Sequence, residues 1–283
     1  MRPKRLAISL AVVGAIAMLV FAVAGGCAWS GGGSSATTGE ATTSSAISPS
    51  TTTTQLTTSS TSTTVRPTTT TASPTTSLPS APAKDYIRLP THEKVVALTF
   101  DAAYDPAPLK GILAALKVAN ADATFFLTGE FIRDFPQWTK AIIAAGYPIG
   151  NHSYSHPDFT TLSDNAMRLQ MEKMATALTK LGGKDPKPLF RAPYGALNKR
   201  VLSVLRSEGY VSVFWTIDTL DWEPNRTSAQ IQAVVLSKLA PGAIILMHVG
   251  GKQTAQALPE LLAKIKVEGY GFVNLRDALP GAR

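Results

Sequence analysis

From residue 95 onward, short apolar runs alternate with longer stretches whose apolar residues recur at helical spacing. Val95 to Phe100 reads as a buried strand ending in Asp101, and Ala123 to Leu127 as a second. A short strand near Ile149 leads through Asn151 into His152, and Leu189-Phe190 leads into Arg191. Val211 to Ile217 ends in Asp218, Ala243 to Met247 ends in His248, and Gly271 to Leu275 closes the series. Between these runs the spacing predicts helices over 108–119, 136–145, 164–181, 198–208, 228–239 and 255–267. Pro136 opens one of them, Gly182-Gly183 and Gly209 stop two others, and Thr227 or Ser228 caps a fourth. For the 164–181 helix, Leu162, Met167, Leu169, Met171, Met174 and Leu178 are the expected buried side.

About seven βα units in this length imply an α/β fold, with a parallel sheet closed into a distorted or incomplete (β/α) barrel. A doubly wound open sheet is the competing architecture. It would gather functional groups at one switch point, whereas here titratable residues follow five different strands.

Composition divides the chain of 283 residues into three parts. In residues 1–27, Arg2, Lys4 and Arg5 precede an apolar run from Leu6 to Val23 and then Ala24-Gly25-Gly26-Cys27, the pattern of an export signal. The single cysteine, Cys27, stands where a segment resembling a bacterial lipobox places its lipid-modified residue, so a lipid anchor is expected; an uncleaved membrane helix is the alternative. Residues 28–83 are Ser, Thr, Gly, Ala and Pro with only Glu40 and Arg66 charged, too polar to offset ordering entropy, and are expected to form a disordered stalk reaching from membrane to wall. The folded part, residues 84–283, is long enough for one domain with a substantial core. It has no cysteine with which to form a disulfide. Setting aside Arg2, Lys4, Arg5, Arg66 and Glu40, 23 basic and 18 acidic residues remain, a net of +5. That mild excess suits an anionic wall polymer; without a basic run interleaved with aromatics it does not indicate nucleic acid.

Single residues carry weak signals. The His152/His156 spacing would put two imidazoles on one face of a helical turn, as a divalent metal such as zinc needs. Asp101 suits a base or an N-cap, and Arg191 a charge partner that keeps Asp101 ionised or an ordinary surface arginine. His248 reads as a general acid oriented by Asp218, or as a hydrogen-bonded core histidine. Trp222 and Leu246 read as core or as walls of an acetyl-sized slot.

Taken in order, Thr99-Phe100-Asp101, His152-Ser153-Tyr154-Ser155-His156, Arg191-Ala192-Pro193-Tyr194, Asp218-Thr219-Leu220-Asp221-Trp222 and Leu246-Met247-His248 resemble the five motifs of the polysaccharide deacetylases. These enzymes carry the NodB homology domain and form carbohydrate esterase family four; the resemblance spans residues 93–275. It implies a distorted (β/α) barrel that hydrolyses an N-acetyl, in some members an O-acetyl, group on a glycan. It also implies Asp101 as general base, His152 and His156 as ligands of a divalent metal, and Arg191 steadying the base. Tyr194 is implied as a backbone oxyanion donor, Asp218 as tuning His248 the general acid, and Trp222 and Leu246 as the acetyl slot. With export and a stalk, a cell-wall polysaccharide is the expected partner, peptidoglycan before a chitin-like glycan.

One departure stands out. The family's first motif usually carries two adjacent aspartates, the second a metal ligand, and here that position is Ala102. The Asp-Ala-Ala form resembles the sporulation-type branch and implies a weakened metal site. Asp105 reaching in, or Asp101 ligating directly, are the ways the sequence offers to fill the gap. Two rival readings follow: a glycan-binding relative without turnover, and a metal-independent amidase of a small cyclic amide.

Overall fold

The computed structural model describes residues 84–280. The export segment, Cys27 and the Ser/Thr-rich stretch lie outside the described residues. Among the described residues no helix is long and apolar enough to cross a membrane.

The elements alternate as the apolar pattern requires. They run β1 (Asp85–Tyr86), β2 (Val95–Ala102), α1 (Leu109–Ala119), β3 (Ala123–Leu127), α2 (Gly129–Asp134), α3 (Pro136–Ala144) and β4 (Ile149–Asn151). Then come α4 (Asp164–Lys180), β5 (Leu189–Phe190), α5 (Lys199–Ser207), β6 (Val211–Val213) and β7 (Ile217–Asp218). The chain continues through α6 (Ser228–Ser237), β8 (Ile244–His248), α7 (Thr254–Val267), β9 (Gly271–Phe272) and α8 (Leu275–Ala278). Side-chain caps begin several helices: Ser163 on α4, Asn198 on α5, and a Thr227/Gln230 capping box on α6. In α4 the buried face is Met167, Met171, Met174 and Leu178, while Leu169 is exposed.

All named strand pairs are parallel, in the order β1-β6-β5-β4-β3-β2-β8-β7, with β9 also on β2. The sheet curls into a half-barrel. Period-two alternation along β2 sends Val96, Leu98, Phe100 and Ala102 into the layer shared with the helices, and Ala97 into a second cluster with Tyr86, Phe126, Leu189 and Ile244.

Two expected strands are shorter than their apolar runs. The run 211–217 splits because Phe214 to Thr216 cross from β6, beside β1 and β5, to β7, beside β8. The crossing is held by Phe214 N–H on Tyr86 O, by Thr216 N–H on Ile244 O and by the Thr216 hydroxyl on Ile87 O. The last strand stops at Phe272, because the Asn274 side chain accepts from Asp277 N–H and starts α8 instead. Helix α2, too short for its periodicity to show, is set by Thr128 accepting from Phe131 N–H.

Candidate active site

The carboxyl ends of β2, β4, β5, β7 and β8 open on one cleft of about 570 Å³, lined among others by Asp101, His152, His156, Asp218, Trp222 and His248. Asp101 and His248 are register partners on adjacent strands, so base and acid candidates lie side by side.

Arg191 organises one side. Its Nη1 donates to Asp101 Oδ1 at 2.8 Å and to Thr99 Oγ1 at 2.9 Å. Its Nε and Nη2 donate to the carbonyls of Val213 and Phe214, and the guanidinium lies 4.3 Å from the centre of the Phe126 ring. The side chain is almost wholly buried, so these bonds satisfy a charge that water cannot reach. Burial pushes the Asp101 carboxyl up, but Arg191, His152 and His248 together outweigh it and hold Asp101 below its ordinary range.

The backbone of the same arginine fixes the first histidine. His152 Nδ1–H donates to Arg191 O at 2.8 Å, the tautomer that a carbonyl partner selects, which leaves Nε2 as a bare lone pair. That atom is 3.1 Å from His156 Nε2 and 3.6 Å from Asp101 Oδ2. Burial keeps His152 below its ordinary pKa, and burial with the neighbouring His152 lowers His156 to about 4, so both are neutral at pH 7. The convergence does not come from a helical turn. Ser153 and His156 occupy left-handed backbone at φ 66° and 59°. Their loop is held by Asn151 Oδ1 on Ser153 N–H, Ser153 Oγ on His156 N–H, and Gln170 Oε1 on the N–H groups of Tyr154 and Ser155.

Two neutral imidazoles with converging Nε2 atoms, and a buried His156 Nδ1 that has no hydrogen-bond partner, fit a divalent cation as a two-nitrogen site. Of the carboxylates among the described residues, Asp101 comes nearest, with Oδ2 3.6 Å from His152 Nε2 while its Oδ1 pairs with Arg191. Ala102 is buried in the apolar layer between sheet and helices. Asp105 lines the cleft, but its Oδ1 accepts from Ala107 N–H in a turn of its own. Among the described residues no group of three or more His, Cys, Asp or Glu is arranged to hold a metal.

On the other side the structure corrects one expectation. Asp221, not Asp218, holds His248: Oδ1 is 2.7 Å from His248 Nδ1, while Oδ2 accepts from His248 N–H at 2.8 Å and from the Thr254 hydroxyl at 2.5 Å. Asp218 Oδ1 accepts from Leu220 N–H and acts on His248 only as a more distant charge. Burial pushes His248 down, and Asp221, with Asp101 and Asp218 behind it, raises it above its ordinary pKa. Leu246 is buried and Trp222 exposed, and both line the cleft. Tyr194 sits at φ 59° in a single 3-10 turn. Asp221, Asn151, Gln170, Thr254 and Tyr104 were not singled out from sequence; the Asp-Trp pair at 221–222 was the available signal for the first.

The polysaccharide deacetylase family model matches residues 88–213. Over 191 residues the chain is 33% identical to the peptidoglycan-N-acetylmuramic acid deacetylase PdaA of Bacillus subtilis, covering 67% of this chain and 73% of that one. It is 36% identical to a peptidoglycan-N-acetylglucosamine deacetylase of Bacillus cereus, covering 66% and 68%. Among solved structures, a CE4 family pseudoenzyme from Bacillus anthracis superposes with TM-score 0.67 at 31% identity, covering 71% of this chain and 70% of that one. A mutant of that protein is described as having restored enzymatic activity. Strand-end placement of the five motifs, the curled parallel sheet and these similarities agree: the chain belongs to the polysaccharide deacetylase family, the CE4 carbohydrate esterases.

Proposed function

We propose that the protein is an extracytoplasmic deacetylase that hydrolyses N-acetyl groups of a cell-wall glycan, peptidoglycan before chitin. Residues 1–27 serve as export signal and lipid anchor through Cys27, residues 28–83 as stalk, and residues 84–283 as catalytic domain. The observation that carries the reading is one cleft holding an ionised, arginine-paired Asp101 beside a carboxylate-paired His248. Two titratable groups driven in opposite directions at one site are the mark of a base and an acid.

His152 and His156 would hold a divalent metal, zinc by donor type, whose chemistry is to acidify a water and polarise a carbonyl. The chain's own groups do the rest. Asp101 accepts the proton of the attacking water, and Arg191 keeps that carboxylate charged and oriented. Tyr194 offers its backbone N–H to the developing oxyanion. His248, with Nδ1 tied to Asp221, protonates the departing amine from Nε2 as the C–N bond breaks, giving acetate and a free amino sugar. Leu246 and Trp222 wall the acetyl slot, and Asp218 adds negative potential that favours protonated His248.

A second reading, a glycan-binding relative without turnover, is favoured by Ala102 and by the likeness to a pseudoenzyme. Acetate release separates the two. The purified full chain, supplied with zinc and N-acetylated peptidoglycan or chitin oligosaccharides, should release acetate, and Asp101→Asn should reduce the rate by about 10³-fold. Glycan binding without acetate under any divalent metal supports the second reading and removes the first.

A further inference from the structure

Seven large hydrophobic side chains are exposed among the described residues, and three of them, Tyr104, Tyr194 and Trp222, border the one cleft. Isolated exposed apolar groups need no explanation, but three aromatics around a single opening do. They fall on two sides of it. Sheet order puts β5, which leads to Tyr194, and β4, which leads to His156, on one flank of β2. The same order puts β8 and β7, which lead to His248 and Trp222, on the other. Tyr104, two residues past the end of β2, leans to the histidine flank. Its ring meets His156 edge-on at 6.1 Å between centres, and the Tyr194 ring meets the same imidazole at 4.6 Å. The two tyrosines therefore stand against one imidazole as a wall 69% and 70% exposed, with apolar ring surface turned to solvent beside the reacting groups.

We propose that Tyr104, standing beside Tyr194 against His156, is a specificity-determining residue that stacks against the sugar adjoining the one in the acetyl slot. This rests on the deacetylase reading of the cleft and deepens it. The pyranose ring of an N-acetylhexosamine has an apolar C–H face and polar edges, the complement of an exposed tyrosine face. A tyrosine that merely shields His156 would affect small and large ligands alike; a stacking wall affects only ligands long enough to reach it.

The test uses the full chain with N-acetylglucosamine and its β-1,4 tetrasaccharide, with binding read by tryptophan fluorescence on mixing, before acetate accumulates. Tyr104→Ala should weaken tetrasaccharide binding about five- to tenfold, the scale of one aromatic contact, and leave the monosaccharide unchanged. Tyr104→Trp should restore the tetrasaccharide. No binding of the tetrasaccharide by the wild type, no loss in Tyr104→Ala, or equal losses for both ligands would overturn the proposal. Acetate assays run alongside keep the two claims apart. A length-selective loss without acetate release upholds the wall and removes the deacetylase reading, while acetate release untouched by Tyr104→Ala at limiting tetrasaccharide does the reverse.

Discussion

His152 and His248 stand at strand ends on opposite flanks of β2, face one cleft and both commit Nδ1 to a partner, yet their titrations are driven apart. Burial pushes both down. His152 donates to a neutral backbone carbonyl and stays low, a neutral lone-pair donor at its Nε2. His248 meets a buried carboxylate that outweighs burial and holds its pKa above the ordinary histidine value. The partner of one ring nitrogen sets whether an imidazole serves as a ligand or as an acid. Arg191 links the two sides, since its carbonyl fixes His152 and its guanidinium fixes Asp101, which in turn lies in register with His248.

The harshest way to break this comparison is Arg191→Met. It strands a buried carboxylate and removes four hydrogen-bond or ion-pair contacts, so denaturant titration should show a loss of about 3–5 kcal/mol. The sign with pH follows from Asp101. Its folded pKa is depressed, so its contribution to stability is present above the ordinary carboxylate range near pH 4 and lost as pH falls below it. An equal stability of wild type and variant near neutral pH would show that Arg191 does not hold the base. A gentler cut is Asn151→Ala, which frees Ser153 N–H, Met171 O and the Tyr210 hydroxyl in the interior. It should cost about 1–3 kcal/mol and lower zinc affinity measured by calorimetry. Because Asn151 serves only the His152 side, the pH at which activity fails through His248 should not move.

Much of this was legible in the chain. Asp101, Arg191 and His248 lie at or directly after buried strands, where period-two alternation and an abrupt polar residue mark the strand's end and its direction of opening. Asp221 was not, because it sits three residues beyond the end of β7, past Leu220 at φ 55°, and only the turn brings it back under His248. The His152/His156 spacing pointed to imidazoles that do converge, but through a different geometry: two left-handed residues, not a helical turn, bring them together. Likewise the apolar run 211–217 looked like one strand because sequence does not show that a segment changes partners in mid-run. Tyr104 carried no signal at all, since an exposed aromatic in a short loop becomes meaningful only beside Tyr194 and a cleft.

The central claim is that a carboxylate-paired acid and an arginine-paired base act across one cleft, and the pH profile of acetate release by wild type and Asp221→Asn tests it most directly. Wild type should give a bell, with its acid limb below the usual carboxylate range through Asp101 and its alkaline limb above the ordinary histidine value of about 6.5 through His248. Removing the Asp221 charge leaves burial unopposed by its nearest anion, so the alkaline limb should move to lower pH while the acid limb stays. An alkaline limb that does not shift would show that His248 is not the group whose protonation the reaction needs.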